Sequence, residues 1–546
     1  MKKTHLALIG LFLLAYIVPL GSRPLFAPDE TRYAEVPREM IVSGDWIVPR
    51  LNGLRYFEKP PLGYWLVAAT MEVFGQNSFS TRLPSALATG FSALMLFFFM
   101  RRFGGSAHVA IATSAIYLTF ALVFGLGIYA VLDADVNLFL TGTLVAFYFA
   151  WREKVRARRW GFLALSGICC GLAFLTKGFL ALVVPVIVCA PFCLWEKRWK
   201  DGLKMCWLPA VVALLVAIPW SIVIHQREPD FWRFFFWNEH VRRFTAGNAQ
   251  HREPFFFYAA ILPALILPWT FLIPAAIPGI IRLKLSADPI LRFAACWFLC
   301  PLLFYSVCRG KLATYILPCL PPLAILFASW LHDSLSDGES KAFRIGVLSL
   351  IGALIAGAVA FIVFESVSFR GFRLYSRFHQ DALAVAGIAC YAGVLALSLR
   401  QADATRKILL FGASTAPVLL LGQFLMPDIA IDERAPIVLM QRNVDRVTPD
   451  AMLISDGAEV RDVCWFFRRT DVYVVESIGE LGYGFSYPGT QERLLLLDRF
   501  REIIIKNHGS GRIFLFARSR RFKTWTEGLP APIFIEDNGS HVFAQY

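Results

Sequence analysis

Apolar runs of membrane-spanning length recur along the first four-fifths of the chain. A helix crosses a bilayer core with about 20 mostly apolar residues. Runs that reach or approach this length lie near 5–21, 83–100, 107–128, 134–150, 161–176, 179–195, 206–224, 256–280, 292–308, 315–331, 345–364, 381–399 and 408–426. The pattern predicts about 13 spans. Polar connectors of two kinds alternate between them. One kind is short and rich in Lys and Arg: Lys2-Lys3, Arg101-Arg102, WREKVRARRW at 151–160, EKRWKDGLK at 196–204, Arg282 with Lys284, Lys341 with Arg344, and Arg400 with Arg406-Lys407. The bias of such loops towards the cytoplasm puts the N-terminus inside, and an odd number of spans carries the C-terminus outside. No small-residue cleavage site precedes Arg23, so the first run is expected to remain as a helix.

Three long segments then fall on the outer side: 22–82, 225–255 and the tail 427–546. The tail alternates strand-like runs (AMLIS at 451–455, VYVVE at 472–476, RIFLF at 512–516) with helical patterns (EVRDVCWFFRR, RLLLLDRFREIII). It reads as a small α/β domain, 427–546, after a mainly α, polytopic membrane domain, 1–426, that carries the other two outer segments.

Composition sharpens the class. Of the 546 residues, 57% are hydrophobic and 17% charged, against about 25% charged in soluble domains. This excludes a disordered chain, a coiled coil and a simple soluble enzyme. The net charge of +14 follows from the cationic loops, and the membrane composition argues against a nucleic-acid partner. Ten of the eleven cysteines lie in or beside apolar runs, with no CxxC or Cys/His metal spacing. They read as small packing residues.

Candidate chemistry concentrates in the outer segments. The first contains RPLFAPDETRYAEVPREMIVSGDWIVPRLNGLRYFEKPPLGYW. Asp29 and Glu30 follow Pro28 and open a helix, and Arg32 lies one turn beyond Asp29. The simplest use of either acid is as a helix cap or first-turn acid. Glu58-Lys59 precede Pro60-Pro61, which fix an extended backbone, and alone they read as a solvated pair. The stretch 62–74, with Tyr64 and Trp65, suits a membrane interface. The segment 225–255 interleaves Phe and Trp with His225, His240, His251 and five arginines. That mixture fits a lipid–water boundary with basic heads available to phosphates, or a plain anchoring helix. His240 beside Glu239 is a borderline metal ligand without a full ligand set. LDADVN places Asp133 and Asp135 at an outer boundary, where acids must be solvated or paired. CRGKLATYILP at 308–318 brings in Arg309, Lys311 and Tyr315, and LTKGF at 175–179 is a short outer turn with Lys177 exposed. Together these segments could enclose a cavity for an amphiphile carrying phosphate.

The run APDETRYAEVPREMIVSGDWIVPRLNGLRYFEKPPLGYW, with FWNEHVRRF at 236–244 and RGKLATYILPCLPPLA at 309–324, resembles the bacterial lipid A aminoarabinose transferases. These are polyprenyl-phosphate-dependent glycosyltransferases of the protein mannosyltransferase-like GT-C group. The resemblance spans essentially the whole membrane part, and nothing family-specific is read in 427–546. It implies a GT-C fold of about 13 transmembrane helices with periplasmic juxtamembrane loops. It also implies transfer of 4-amino-4-deoxy-L-arabinose from undecaprenyl phosphate to a lipid A phosphate, at the periplasmic face of the inner membrane. The added amine lowers the negative charge of lipid A, and polymyxin and other cationic antimicrobial peptides then bind less well. Asp29 matches the catalytic aspartate of the group, with Glu30 beside it, and Asp133 or Asp135 matches a second acidic position. Arg32, Lys59, Arg243 and Tyr315 match positions around the substrate phosphates, with Tyr33 and Lys311 as neighbours. Glu58 and His240 match positions where zinc can be held, and no nucleotide cofactor is implied. The expected partners are the undecaprenyl-phosphate-linked donor, the lipid A acceptor and membrane lipids. Relatives in the group move other sugars to lipid, glycan or protein, which leaves a second reading. A transporter or flippase is a third. It would put ionisable groups near the bilayer midplane, whereas here they cluster at outer boundaries.

Overall fold

The computed structural model describes residues 2–242, 252–285, 288–336, 341–367, 373–375, 377–476 and 479–546, and their side chains apart from those of 2–4 and 238–242. The chain divides into two compact units. One comprises residues 1–20, 83–373 and 377–425, and the other 21–82, 374–376 and 426–546. The first outer segment, expected as a loop of the membrane domain, is thus grouped with the tail.

Among the described residues the regular elements of the first unit are helices, apart from one isolated bridge between Arg252 and Gly310. Among the described residues, nine helices are long and apolar enough to cross a membrane, from Ser78–Phe103 to Ala404–Phe424. Two more of the expected runs are bent: Ala107–Thr119 with Ala121–Gly127 by 67°, and Phe257–Leu265 with Trp269–Arg282 by 95°. The second bend falls at Pro268, whose missing N–H interrupts the helical ladder. The two remaining runs form the shorter helices His5–Gly21 and Leu180–Trp195. Close packing uses small residues, as expected where lipid offers no hydrophobic drive between helices. Gly167 and Gly171, four apart on Arg156–Lys177, face the helix Trp199–Arg227. A Cβ on Gly171 would lie 2.7 Å from the Val216 Cβ. Much of the aromatic content fills this interior. Phe293 packs against Tyr148 at 4.9 Å and Phe192 at 5.0 Å between ring centroids.

The second unit is α/β. Strands β1 (Arg50–Leu51) and β2 (Leu54–Arg55) form a hairpin. Its turn is Asn52-Gly53, with φ of 56° and 68°, the left-handed pair that a tight hairpin requires. The tail supplies β3 (Met452–Asp456), β4 (Tyr473–Val475), β5 (Leu494–Leu495), β6 (Ile513–Arg518), β7 (Phe534–Asp537) and β8 (His541–Gln545). They form one sheet in the order β5-β4-β3-β6-β8-β7. β3 to β6 run parallel and β8 joins antiparallel to β6 and β7. The three strands expected from AMLIS, VYVVE and RIFLF are present. The start of RLLLLDRFREIII, expected as helix, gives β5 instead. The helix begins only at Leu497, because Leu494 and Leu495 pair with β4 and tertiary pairing overrides local pattern.

The helix Asp29–Ser43 ends at Gly44, which has a φ of 68°. It shares a core with the tail, in which Leu25, Ala34, Val67 and Met71 surround Trp465. The Asn52 amide acts as a strand edge, donating to the Val472 carbonyl at 2.8 Å and accepting from the Val472 N–H at 3.0 Å. These contacts tie the first outer segment to residues more than 400 positions away.

Candidate active site

Adjacent helix positions point about 100° apart, and this separates Asp29 from Glu30. Neither is a side-chain cap, since the helix starts after Pro28 without a cap hydrogen bond. Glu30 is fully buried. It accepts from Arg23 Nη1 at 2.6 Å, Arg82 Nε at 2.6 Å, Arg82 Nη2 at 2.8 Å and the Phe26 N–H at 2.9 Å. Burial would raise its carboxyl pKa, but the two guanidinium groups outweigh that and hold it at about 2. Arg82 also donates to the carbonyls of Arg23 and Pro24. Glu30, expected among the catalytic acids, is therefore corrected to a structural anchor. Its oxygens are engaged by an ion cluster that closes the segment 23–82 on itself.

Asp29 remains available. Its side chain is 43% exposed and lies 3.4 Å from Arg32 Nη2, as the three-residue spacing predicts. Arg32 is mostly buried, and its shorter contact is with Glu480 Oε1 at 2.9 Å. Glu480 also accepts from Tyr56 Oη at 3.1 Å and faces Arg461 at 3.5 Å. Burial pushes the Glu480 carboxyl up, but Arg32 and then Arg461 hold it below its ordinary range. Tyr33, expected at a phosphate, is buried. Its ring stacks on Tyr64 at 6.0 Å and lies under the Arg32 guanidinium at 5.7 Å. Glu58 is buried rather than solvated, and Lys59 Nζ donates to the Glu58 carbonyl at 2.8 Å. Two cations, Arg32 and Lys59, and one half-exposed carboxylate, Asp29, are thus presented by this unit.

The other unit places Asp133 and Asp135 in different surroundings. Both sit in the first turn of the helix Leu132–Arg152, two positions apart and so on different faces. Asp135 is buried. Asp133 pairs with Lys177 Nζ at 2.7 Å, and that ammonium lies 5.4 Å from the centroid of the Tyr315 ring. Lys177 closes its own helix, Arg156–Lys177, where a cation suits the negative end of the helix dipole. Lys311 joins neither group, and donates to the Glu253 carbonyl at 2.7 Å. Arg243 and the His240 side chain lie outside the described residues. Of the expected zinc pair only Glu58 is therefore described, and among the described residues no three His, Cys, Asp or Glu side chains gather as a metal would require.

Glu480 and Arg461 carried no sequence signal. Lys177 carried one, the charged turn LTKGF, but not its pairing with Asp133. The site residues fall into a carboxylate–guanidinium set at Asp29 and a carboxylate–ammonium–aromatic set at Lys177. Such sets suit anionic phosphates and a reacting centre that develops positive charge.

Comparison with known proteins bears on these sets. Residues 1–235 match the family model described as dolichyl-phosphate-mannose-protein mannosyltransferase. Residues 431–545 match the one described as arabinosyl transferase ArnT, C-terminal domain. The chain is 39% identical over 95% of its length, and 94% of the relative's, to the undecaprenyl phosphate-alpha-4-amino-4-deoxy-L-arabinose arabinosyl transferase of Aeromonas salmonicida. It is 38% identical to that of Shewanella sediminis over 92% of each chain. It is 35% identical to that of Yersinia pseudotuberculosis over 97% of this chain and 95% of the relative. The crystal structure of ArnT from Cupriavidus metallidurans bound to undecaprenyl phosphate shares the fold. Its TM-score is 0.83 at 22% identity, over 99% of this chain and 97% of that one.

Proposed function

The chain belongs to the undecaprenyl phosphate-4-amino-4-deoxy-L-arabinose arabinosyl transferases and is a multi-pass membrane glycosyltransferase, and on that premise we propose that it moves this aminosugar from undecaprenyl phosphate to a lipid A phosphate. In this reading the reaction runs at the periplasmic face of the bacterial inner membrane. The observation that carries the reading is Asp29, half-exposed and one helical turn from a buried, ion-paired Arg32.

In the proposed step the bond between the sugar C1 and the donor phosphate oxygen breaks. Its electron pair leaves on undecaprenyl phosphate, and an oxygen of the acceptor phosphate forms the new bond to C1. Arg32 and Lys59 offset the charge that grows on the leaving phosphate. Lys177, held by Asp133 and Tyr315, is a further phosphate-binding cation. A phosphate monoester has a second pKa near 6, so the acceptor is mostly dianionic at neutral pH and needs little general-base help. Asp29 then orients the reactants and stabilises positive charge on the sugar ring. Glu480 acts through Arg32 as a positioning residue.

The test is mass spectrometry of lipid A from a strain that lacks its own aminoarabinose transferase and is supplied with this chain. A gain of one aminoarabinose unit, with polymyxin resistance, is expected. No gain despite good expression and available donor would overturn the acceptor and sugar assignment. A second measurement addresses Glu480. Glu480→Gln keeps the shape but removes the charge that holds Arg32. A charge-assisted hydrogen bond contributes about 1.5–3 kcal/mol, so kcat/KM is expected to fall roughly tenfold or more. Glu480→Asp should recover part of the loss. An unchanged kcat/KM in Glu480→Gln would remove Glu480 from the positioning of Arg32.

A further inference from the structure

A pocket of about 510 Å³ lies at the C-terminal end of the helix Pro289–Val307. It is built by an antiparallel bridge between Arg252 and Gly310, extended by the Glu253 N–H donating to the Arg309 carbonyl at 3.4 Å. The bridge holds 252–253 beside 309–311, so three cations, Arg252, Arg309 and Lys311, line the pocket with one carboxylate, Glu253. Arg252 and Arg309 are exposed, and neither makes an ion pair among the described residues. Lys311 is different. Its side chain is buried, with the residue 4% exposed. Among the described residues its ammonium donates only to the neutral Glu253 carbonyl, at 2.7 Å. An ammonium has three N–H donors, and burying one with a single neutral acceptor is costly unless an anion completes its set. A snorkelling lysine extends its head into water, whereas Lys311 is held back against the Glu253 carbonyl. The rim is apolar, with Phe255 61% and Val307 74% exposed.

We propose that Arg252, Arg309 and Lys311 form a subsite for the phosphate monoester head of a lipid, whose apolar body runs along Phe255 and Val307. This rests on the reading that the acceptor is a phosphorylated lipid. It assigns to this pocket a phosphate other than the one that receives the sugar. Arginine forks match phosphate oxygens in pairs, and the buried ammonium supplies a point charge beneath them.

The test uses the full chain in detergent, probed by native mass spectrometry with phosphatidic acid, phosphatidylcholine and inorganic phosphate. Wild type should retain phosphatidic acid over phosphatidylcholine, and millimolar inorganic phosphate should compete with it. The surface double variant Arg252→Gln/Arg309→Gln should retain about tenfold less phosphatidic acid, and Lys311→Met less again. Equal retention of phosphatidylcholine, or undiminished retention of phosphatidic acid by the double variant, overturns the subsite. Sugar transfer in the same preparations separates this from the functional reading. An unchanged KM for lipid A in an active double variant removes the subsite and leaves the reaction standing. A wild type that binds phosphatidic acid through these residues but transfers nothing to lipid A supports the subsite and removes the proposed acceptor.

Discussion

Asp29→Asn is expected to lower kcat by about 10³-fold while leaving the protein folded. The magnitude follows from the place of the charge. A preorganised group facing charge that develops only in the transition state typically contributes 10²–10³-fold. Asn keeps the size and one acceptor oxygen of Asp and loses only the charge. The structural cost is small, because Asp29 is half-exposed, has one ion pair at 3.4 Å and makes no cap hydrogen bond. A pair this long, with its carboxylate half-exposed, contributes about 1 kcal/mol, and Arg32 keeps its shorter contact with Glu480. Purified variant and wild type should therefore unfold at the same temperature within a few degrees, and KM should change less than kcat. If Asp29→Asn kept most of its turnover, the electrostatic role assigned to Asp29 would fall, and Asp133, held by Lys177, would become the leading carboxylate.

The neighbouring substitution should behave in the opposite way. Glu30→Gln leaves two buried guanidinium groups, Arg23 and Arg82, facing a neutral amide. Breaking a buried ion pair from one side costs about 3–5 kcal/mol. The expected result is a large loss of thermal stability, with lost activity following from lost fold. The sign of the pH dependence follows from the depressed pKa. Glu30 titrates near 4.5 when unfolded and at about 2 when folded. Its contribution is therefore fully present above about pH 4.5 and is lost as pH falls towards 2. A shift of this size corresponds to roughly 3 kcal/mol. Unfolding followed by intrinsic fluorescence should show wild type losing stability across that window and Glu30→Gln changing less there. Equal melting temperatures for the two proteins at pH 7 would contradict the anchoring role.

These paired predictions show where the sequence was legible. Asp29 and Glu30 share every local signal: a preceding proline, a first helical turn and an acidic side chain. What separates them is Arg82, 52 positions along the chain, which no local pattern connects to Glu30. The choice between Asp133 and Asp135 was open for a related reason. Helical geometry puts them on different faces, but only the fold shows which face meets Lys177. The apolar runs were readable because a bilayer imposes length and composition on each span separately. The distant partner of Arg32 was not, because Glu480, itself paired with Arg461, lies more than 400 positions along the chain and reaches Arg32 only through tertiary packing.

That the segment 21–82 and the tail 426–546 form one unit has a consequence for biosynthesis. The ribosome makes the helix that bears Asp29 first and its packing partners last, with roughly 340 residues between them. At 5–20 residues per second, the early segment waits on the order of half a minute for Val472 and Glu480 to emerge. Until then Asn52 lacks its strand partner and Arg32 the closer of its two counter-ions. A message cut short before codon 480 would still encode every long apolar helix, yet its product would never acquire the pair between Arg32 and Glu480, so the order of translation makes the packing around the helix Asp29–Ser43 among the last to be completed.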